Sequence, residues 1–240
     1  VRWVFTGPIP VGFSVRGTVS GVVSSAGLTL PITLSNCVAA TSVYNGAAVN
    51  YLHDYHAMRD ANVGGTNEII RLALSERAKV LNYISTTFVF GWSVQETLSE
   101  RDTNAGMERL DFGYSQTKWV AEQVVLDAMR RGLAARIFRP ALLTPSIDGG
   151  GCNFDIAIRL LAFMMNHGIG TTAHNQVSFT PADLAARNIV AISGVAETVG
   201  EIYHVTRDEY ATMSDITAIL GELTGRTFQP YDLRAFVPEI

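Results

Sequence analysis

A tyrosine and a lysine stand four residues apart in the segment GYSQTKWVAE, residues 113–122. Residues four apart lie on one face of a helix, so the Tyr114 phenol and the Lys118 ammonium group can point into the same cleft. A nearby cation favours the phenolate and would lower the phenol pKa from about 10 toward a value useful for proton transfer near neutral pH. The pair therefore predicts acid–base chemistry, although any helix can carry this spacing by chance.

Two segments accompany this pair in a fixed order. A predicted strand containing Ser85, Thr86 and Thr87 precedes the tyrosine by one loop, and the segment FRPALL, residues 138–143, lies on the next predicted strand. A polar strand end is by itself a common feature. The order of the three segments, rather than the spacing alone, favours an active site.

The elements that would position these residues alternate between strand and helix along the chain. The strands are apolar on both faces, which is typical of a parallel sheet covered by helices on its two sides. This pattern predicts the doubly wound α/β class. The predicted strands span 1–7, 11–17, 19–24, 40–47, 78–91 and 134–143, and the predicted helices span 55–75, 114–132 and 154–168.

The connections in the N-terminal region do not fit this pattern. Parallel neighbours need a crossover of about a dozen residues, yet only Pro8, Ile9 and Pro10 separate the first two predicted strands. Solvent-facing helices would also add charges, but Arg2 and Arg16 are the charged residues before Asp54. Antiparallel hairpins are one explanation. The other is that crossover segments are missing near residues 7–11, 17–19 and 25–32.

The composition is that of an ordinary globular domain with one sizeable core. Of 240 residues, 48% are hydrophobic and 17% are charged, and the net charge is −4. Without a basic stripe, we expect neither nucleic acid nor an acidic membrane surface as a partner. Cys37 and Cys152 lack the spacing of a disulfide framework or a zinc site, which fits a reducing cytoplasm. We expect no secretory signal and no membrane span, since Pro31 and many polar residues interrupt the long uncharged run.

Six segments in this order resemble the extended short-chain dehydrogenase/reductase family. Within it they are most similar to the terminal thioester reductase domains of nonribosomal peptide and polyketide synthetases and of carboxylic acid reductases. Together they run from about residue 43 to the C-terminus. The segments are VYNGAAVNYLHDYHAMRDANVGGTNEIIRLA (43–73), YISTTFVFG (83–91), GYSQTKWVAEQVV (113–125), RIFRPALLTP (136–145), FTPADLAARNIVAIS (179–193) and YHVT (203–206).

The resemblance implies catalytic roles for three residues. Tyr114 would donate a proton to the carbonyl oxygen of the substrate, and Thr86 would hydrogen-bond the same oxygen. Lys118 would hold the nicotinamide ribose while tuning Tyr114. If the motif is aligned one residue earlier or later, Ser85 or Thr87 takes this role instead of Thr86.

The same resemblance implies a nicotinamide cofactor. Pro140 would lie against the nicotinamide at the carboxyl edge of the sheet, where the family usually has Pro-Gly and this chain has Ala141. Gly7 keeps the start of a glycine-rich turn that receives the pyrophosphate, although the further glycines and the helix are missing from the sequence. Arg16 would grip the adenosine 2′-phosphate and select NADPH, unless it simply faces solvent. The adenine side would be lined by Asn45, Gly46 and Ala47, for which a strand-ending turn is the other interpretation.

These implied features predict NADPH-dependent reduction of a thioester. The acyl or peptidyl group would arrive on the phosphopantetheine of a carrier domain and leave as an aldehyde, which some relatives reduce onward to an alcohol. The fold would be a Rossmann-like doubly wound sheet with a small C-terminal substrate-binding subdomain, excised as a monomer from a larger multienzyme. The NADP-binding domain would comprise 1–145 and 176–206, and the subdomain 146–175 and 207–240.

Two alternatives stay open. Another extended reductase, epimerase or dehydratase, acting on a nucleotide sugar or a small carbonyl compound, would use the same set of Tyr, Lys and Thr. A non-catalytic sensor or scaffold that kept the fold after losing its glycine-rich turn is the second alternative.

Two further segments are interpreted as structural. The predicted helix at 154–168 is amphipathic and is expected to face the core, with Phe163, Met164 and Met165 as candidates for lining an acyl channel. Asn62 and Gly65 are expected to support the packing of their helix against the sheet rather than to touch substrate.

Overall fold

The computed structural model describes residues 42–45, 53–75, 77–91, 93, 95, 97–103, 106–149, 156–174 and 176–232. No helix within these residues is both long and apolar enough to cross a membrane. The strands are β1 Ser42–Asn45, β2 Val80–Ile84, β3 Ala135–Pro140, β4 Leu142–Thr144, β5 Ile169–Thr171, β6 Gln176–Val177, β7 Phe179–Pro181, β8 Ile202–Val205, β9 Ala211–Thr212 and β10 Gln229–Tyr231. The α-helices are α1 Tyr55–Arg59, α2 Gly65–Leu74, α3 Gly113–Arg130, α4 Ile156–His167, α5 Ala182–Ser193 and α6 Met213–Thr224.

A four-stranded parallel sheet in the order β1-β2-β3-β8 forms the centre of the described part. Ile84 pairs with Phe138 across β2 and β3, and Pro140 pairs with Val205 across β3 and β8. Because the strands run the same way, their carboxyl ends meet at one edge, which is where such sheets bind ligands. The predicted strands 1–7, 11–17 and 19–24, and the proposed missing segments, lie outside the described residues.

Apolar side chains cover both faces of this sheet. On one face, Leu81 and Ile137 belong to a cluster with Val125 of α3. On the other face, Phe138 packs in a cluster with Ala185 of α5. Neighbouring residues of a strand point to opposite faces, so Ile137 packs in the first cluster and Phe138 in the second. The predicted doubly wound α/β class is confirmed.

The predicted helix at 55–75 is present, but it is not a regular α-helix. Asp54 caps its start by accepting a 2.9 Å hydrogen bond from Ala57 N, and this bond lowers the pKa of the Asp54 carboxyl. Between α1 and α2 the chain makes one wider, π-helical turn, Asp60–Gly64. Within this turn Asn62 is buried, and its Nδ2 donates a 2.9 Å bond to Thr117 Oγ1 of α3. The turn therefore ties this helix to α3.

The C-terminal half adds three two-stranded sheets around α4 and α6. β4 pairs with β7 and β5 pairs with β10, both in parallel, and β6 pairs antiparallel with β9. Met164 of α4 is fully buried in a cluster with Ile169 and Phe228. The expectation that Met164 lines an acyl channel is therefore wrong, since its side chain is packed core. Phe163 lies against the same cluster, whereas Met165 is 37% exposed.

Candidate active site

The chain leaves β2 through a buried hydroxyl residue, Thr86. Its backbone is extended, with φ −160° and ψ 154°, and its hydroxyl accepts a 3.2 Å hydrogen bond from Phe88 N. This bond caps a 3₁₀ helix, Thr87–Phe90, so the strand ends at Ile84. The prediction of one strand over 78–91 is wrong in its second half, because the capped turn replaces extended chain there.

The amino end of α3 approaches the start of α1 too closely for a side chain at Gly113. A Cβ atom at this position would lie 2.3 Å from the His53 carbonyl oxygen and 2.7 Å from Tyr55 N. Only glycine therefore fits without moving one helix against the other. Sequence reasoning missed this requirement, although the glycine stands directly before Tyr114. The close approach determines where the side chain of Tyr114 begins.

Tyr114 lies in the first turn of α3, beside the side chain of Thr86. Burial raises the pKa of the Tyr114 phenol above its ordinary value of 10.0, and the nearby Thr86 hydroxyl offsets part of this rise. The expected lowering of the phenol pKa by Lys118 is not found, because the ammonium group is directed elsewhere. The phenol is consequently protonated at neutral pH, as a proton donor must be.

Lys118 is buried one helical turn after Tyr114, with 2% of its surface exposed. Its ammonium nitrogen donates a 2.5 Å hydrogen bond to the Ile84 carbonyl oxygen and lies 4.5 Å from the centre of the Tyr83 ring. Burial lowers the pKa of Lys118 from 10.5 to about 8, and the carboxylate of Glu122 opposes this change. The structure thus brings the three predicted catalytic residues together at the carboxyl end of β2.

A buried ion pair lies beside this group. Arg139 and Glu122 are each 1% exposed, and Arg139 Nη2 donates a 2.6 Å bond to Glu122 Oε1. Glu122 Oε2 accepts a hydrogen bond from Ser85 Oγ, so Ser85 is committed to this carboxylate rather than to Tyr114. Sequence reasoning missed the pair. The arginine at the end of a largely apolar strand and a glutamate four residues after Lys118 were the available signals.

Of the residues predicted to bind only the cofactor, two lie within the described part. Asn45 ends β1, and its Nδ2 donates a 3.2 Å bond to Thr66 Oγ1, which donates onward to the Asn62 carbonyl oxygen. Pro140 is buried at the end of β3. Both stand at the same edge of the sheet as Thr86, and their contact with a cofactor stays a prediction. The remaining predicted residues, Gly7, Arg16, Gly46 and Ala47, lie outside the described residues.

The chemistry of the donor set fits the nicotinamide end of a dinucleotide. Lys118 carries three N–H donors, and its bond to Ile84 uses one of them, which leaves donors of the right type for ribose hydroxyls. The hydroxyl groups of Tyr114 and Thr86 form a polar corner beside it, where a substrate carbonyl oxygen can accept hydrogen bonds. The residues predicted to receive the pyrophosphate lie outside the described part.

An apolar cavity of about 210 Å³ lies among β4, β7, α4 and α6. Ile158 and Leu161 line it from α4, Ile216 and Leu220 line it from α6, and Leu143 lines it from β4. The cavity therefore begins a few residues after the carboxyl end of β3. A lining of aliphatic side chains accepts hydrocarbon and offers little to a charged or strongly polar group.

Known proteins match this chain over most of its length. Residues 33–189 match the NAD-binding family described as male sterility protein. Over 214 residues, 84% of the chain, it is 31% identical to the nonribosomal peptide synthetase hkm10 of Aspergillus hancockii. Over 181 residues, 74% of the chain, it is 32% identical to a linear gramicidin synthase of Brevibacillus parabrevis. Among solved structures, the terminal R domain from the myxalamid PKS-NRPS biosynthetic pathway superposes with a TM-score of 0.78 at 33% identity over 82% of the chain.

The fold and the site define a nicotinamide-dependent oxidoreductase of the Rossmann-like α/β class. The chain belongs to the male sterility protein family, within the extended short-chain dehydrogenases/reductases, which confirms the resemblance inferred from its motifs. It spans 21% and 4% of the lengths of the two synthetases and 50% of the solved R domain. The chain therefore corresponds to one part of such proteins.

Proposed function

We propose that this domain reduces a carrier-bound acyl or peptidyl thioester to an aldehyde, with NADPH as the reductant. The observation that carries the proposal is the grouping of the Tyr114 phenol with Thr86 and Lys118 at the carboxyl end of β2. The identity of 31% and 32% to two peptide-assembling synthetases supports a phosphopantetheine-bearing carrier domain as the partner. The preference for NADPH depends on Arg16 and stays a prediction.

The side chains at this edge act on the carbonyl oxygen of the substrate. When bound, a reduced nicotinamide would supply the hydride that the thioester carbonyl carbon accepts. As negative charge grows on the oxygen, Tyr114 and Thr86 donate hydrogen bonds to it, and Lys118 adds positive charge nearby. The phenolic proton then passes to the oxygen and gives a hemithioacetal, whose collapse breaks the C–S bond. The leaving thiolate takes up the hydroxyl proton, so each thioester consumes one hydride and one proton and yields an aldehyde and a thiol.

The apolar cavity supports an acyl group over a nucleotide sugar as substrate. A nucleotide sugar carries phosphates and hydroxyls that need charged or polar partners when they are buried. Within the described part, Thr144 is the polar member of a lining otherwise made of Leu, Ile and Phe side chains. We propose that the cavity and its surrounding segments, 146–175 and 207–240, form the substrate-binding subdomain.

The test is NADPH oxidation by the full chain, followed spectrophotometrically over a panel of phosphopantetheine and coenzyme A thioesters. Nucleotide sugars and small carbonyl compounds serve as comparison substrates. Because the phenol donates the proton in the transition state, Tyr114→Phe should lower kcat by about 100- to 10,000-fold. The affinity for NADPH should persist, since the phenyl ring keeps the packing of the side chain.

Each alternative function has its own result in this test. Equal turnover by the Tyr114→Phe variant would remove this residue from the mechanism. Tightly retained NAD without net consumption would favour an epimerase or dehydratase. Failure to bind either dinucleotide would favour the non-catalytic scaffold.

A further inference from the structure

Glu122 joins the helix that carries Tyr114 to the two central strands beside it. Its Oε2 accepts a hydrogen bond from Ser85 Oγ at the end of β2, and its Oε1 accepts one from Arg139 of β3. Ser85 stands between two residues that hold the catalytic side chains. The carbonyl oxygen of Ile84, the residue before it, accepts the hydrogen bond from Lys118, and the hydroxyl of Thr86, the residue after it, lies beside the Tyr114 phenol.

Arg139 holds the carboxylate of Glu122 from the other side. Its Nε lies 3.2 and 3.3 Å from the two carboxylate oxygens, in addition to the shorter Nη2 bond. Its Nη1 donates to the carbonyl oxygens of Asp102 and Glu100 at 3.2 and 3.4 Å, and its guanidinium carbon lies 4.8 Å from the centre of the Phe90 ring. The planar guanidinium is thus held along several directions, so the carboxylate cannot shift without breaking directed contacts.

A buried ion pair of this kind is a poor device for stability alone. Removing two charges from water is expensive, and well-packed apolar residues of similar volume stabilise a core equally well or better. What an ion pair offers is direction, because each hydrogen bond specifies where its partner must lie. In this pair the specified partner is Ser85, at the centre of the catalytic strand end.

We propose that Glu122, held by Arg139, is a positioning residue that locks Ser85 against α3 and thereby keeps Thr86 and Lys118 in register around Tyr114. The inference rests on the proposed function. A shift of Ser85 would move the Ile84 carbonyl and the Thr86 hydroxyl together, because the three residues are consecutive. A misplacement of about 1 Å in a catalytic group can cost about 100-fold in rate.

The carboxylate of Glu122 also affects a measurable quantity, the pKa of Lys118, which a merely structural residue would leave unchanged. In the described part, the titratable groups around Lys118 are Tyr83 of β2 and Tyr114 and Glu122 of α3, and Glu122 is in turn paired with Arg139 of β3. Among them, the negative charge of Glu122 raises the pKa of Lys118 against the effect of burial. Removing that charge is therefore expected to lower the pKa of Lys118 further.

The chain is well suited to this measurement because it has two lysines, Lys79 and Lys118. Carbon-13 at lysine Cε gives two signals, and Lys79, bonded to the carbonyl oxygens of Leu72 and Ser75, is the internal reference. In Glu122→Gln we expect Lys118 to titrate at lower pH than in the wild type, while Lys79 is unchanged. We also expect kcat to fall about 100-fold while NADPH affinity changes little.

Two further variants separate position from charge and from stability. Ser85→Ala keeps the ion pair but removes the link, so it should lower kcat while changing the Lys118 pKa less than Glu122→Gln does, because the charge of Glu122 remains. Arg136→Lys is the matched control, because Arg136 is a buried arginine of the same strand that bonds Asn82 of β2 at 3.2 Å, away from the catalytic end. This control should lose stability but retain kcat and the Lys118 titration.

The proposal is overturned if Glu122→Gln and Ser85→Ala both keep wild-type kcat, or if Arg136→Lys loses as much kcat as they do. An unchanged Lys118 pKa in Glu122→Gln would also contradict it. If Glu122→Gln does not fold, Ser85→Ala carries the kinetic test. If the wild-type chain turns over no thioester, the proposed function fails, and the lysine titration, which needs no substrate, still tests the link between Glu122 and Lys118.

Discussion

The end of β2 and the cavity among β4, β7, α4 and α6 are built on different physical principles. Near Tyr114, the buried side chains of Ser85, Lys118, Glu122 and Arg139 make directed hydrogen bonds or ion pairs. Around Leu161 the lining is aliphatic, and contacts there depend on volume rather than direction. The first region specifies the geometry of a reaction, whereas the second tolerates a range of shapes. Substitutions should therefore affect rate in one region, and stability or substrate range in the other.

The core behind the cavity should control stability without controlling rate. Met164→Ala removes a fully buried side chain and should lower the free energy of unfolding by about 2–5 kcal/mol. The kcat of the folded variant should stay at the wild-type value, because Met164 lies in the packed core of α4 rather than at the sheet edge. Denaturant unfolding and NADPH oxidation measure the two quantities.

The neighbouring methionine is the control for this change. Met165 is 37% exposed, so Met165→Ala should change stability by no more than about 0.5 kcal/mol. Similar losses in both variants, or a loss of kcat in Met164→Ala, would show that the two regions are not separate.

At the start of α3, in contrast to Met164, we expect a substitution to lower kcat. Gly113→Ala places a Cβ where 2.3 Å separates it from the His53 carbonyl oxygen, so α3 must move and carry Tyr114 with it. We expect kcat to fall about 100-fold. Gly65→Ala is the matched control, because its backbone is helical and nothing lies within 4 Å of the added Cβ. That control should keep kcat and gain about 0.5–1 kcal/mol of stability. Full activity in Gly113→Ala would contradict the close approach of the two helices.

The pH dependence of the rate should report the charge of Lys118. Below its pKa of about 8 the ammonium group is protonated, and as pH rises through that value the positive charge near the reacting oxygen is lost. The raised pKa of Tyr114 keeps the phenol protonated across the same range. We therefore expect kcat/KM to fall about tenfold per pH unit above pH 8. In Lys118→Arg, where the charge persists, the profile should be flat over this range even though the overall rate is lower. A similar fall in both proteins would assign the titration to another group.

The smallest effect is expected inside the cavity. Leu161→Phe enlarges a lining side chain and should raise KM about tenfold for long-chain thioesters while leaving short ones unchanged. The control is Leu223→Phe, which changes an α6 side chain that is 78% exposed. Equal behaviour of long and short thioesters in the first variant would remove the cavity from substrate binding.

Local patterns in the sequence predicted much of the central fold. The alternation of apolar strands and amphipathic helices located β1, β3, α3 and the start of β2 to within a few residues, because these periods depend on neighbours along the chain. The end of β2 was not predictable in this way. The run FVF at 88–90 is apolar enough for a strand, but the hydroxyl of Thr86 bonds Phe88 N and closes a turn instead. Three-dimensional context decided between the two.

In the candidate site, too, local features were predictable from the sequence, whereas contacts between distant elements were not. The four-residue spacing of Tyr114 and Lys118 indicated that the two side chains share a cleft, since helix geometry is local. The predicted lowering of the Tyr114 pKa was wrong, because burial raises it and the Lys118 ammonium group points to the Ile84 carbonyl of another element. The pair of Glu122 and Arg139 could be recognised only after α3 and β3 were placed side by side.

The π-helical turn at Asp60–Gly64 limits where this chain can lose a residue. A π-helical turn holds about one residue more than an α-helical turn, so deleting one residue here would let the helix close into regular geometry. Everything before the deletion would then rotate by about 100° around the helix axis. Asn62 would lose Thr117, and the backbone at His53 would leave its place against Gly113. Deleting a residue at this point would thus preserve the helix but remove its contacts with α3, which carries Tyr114. Such a deletion should be more damaging than most insertions in a surface loop.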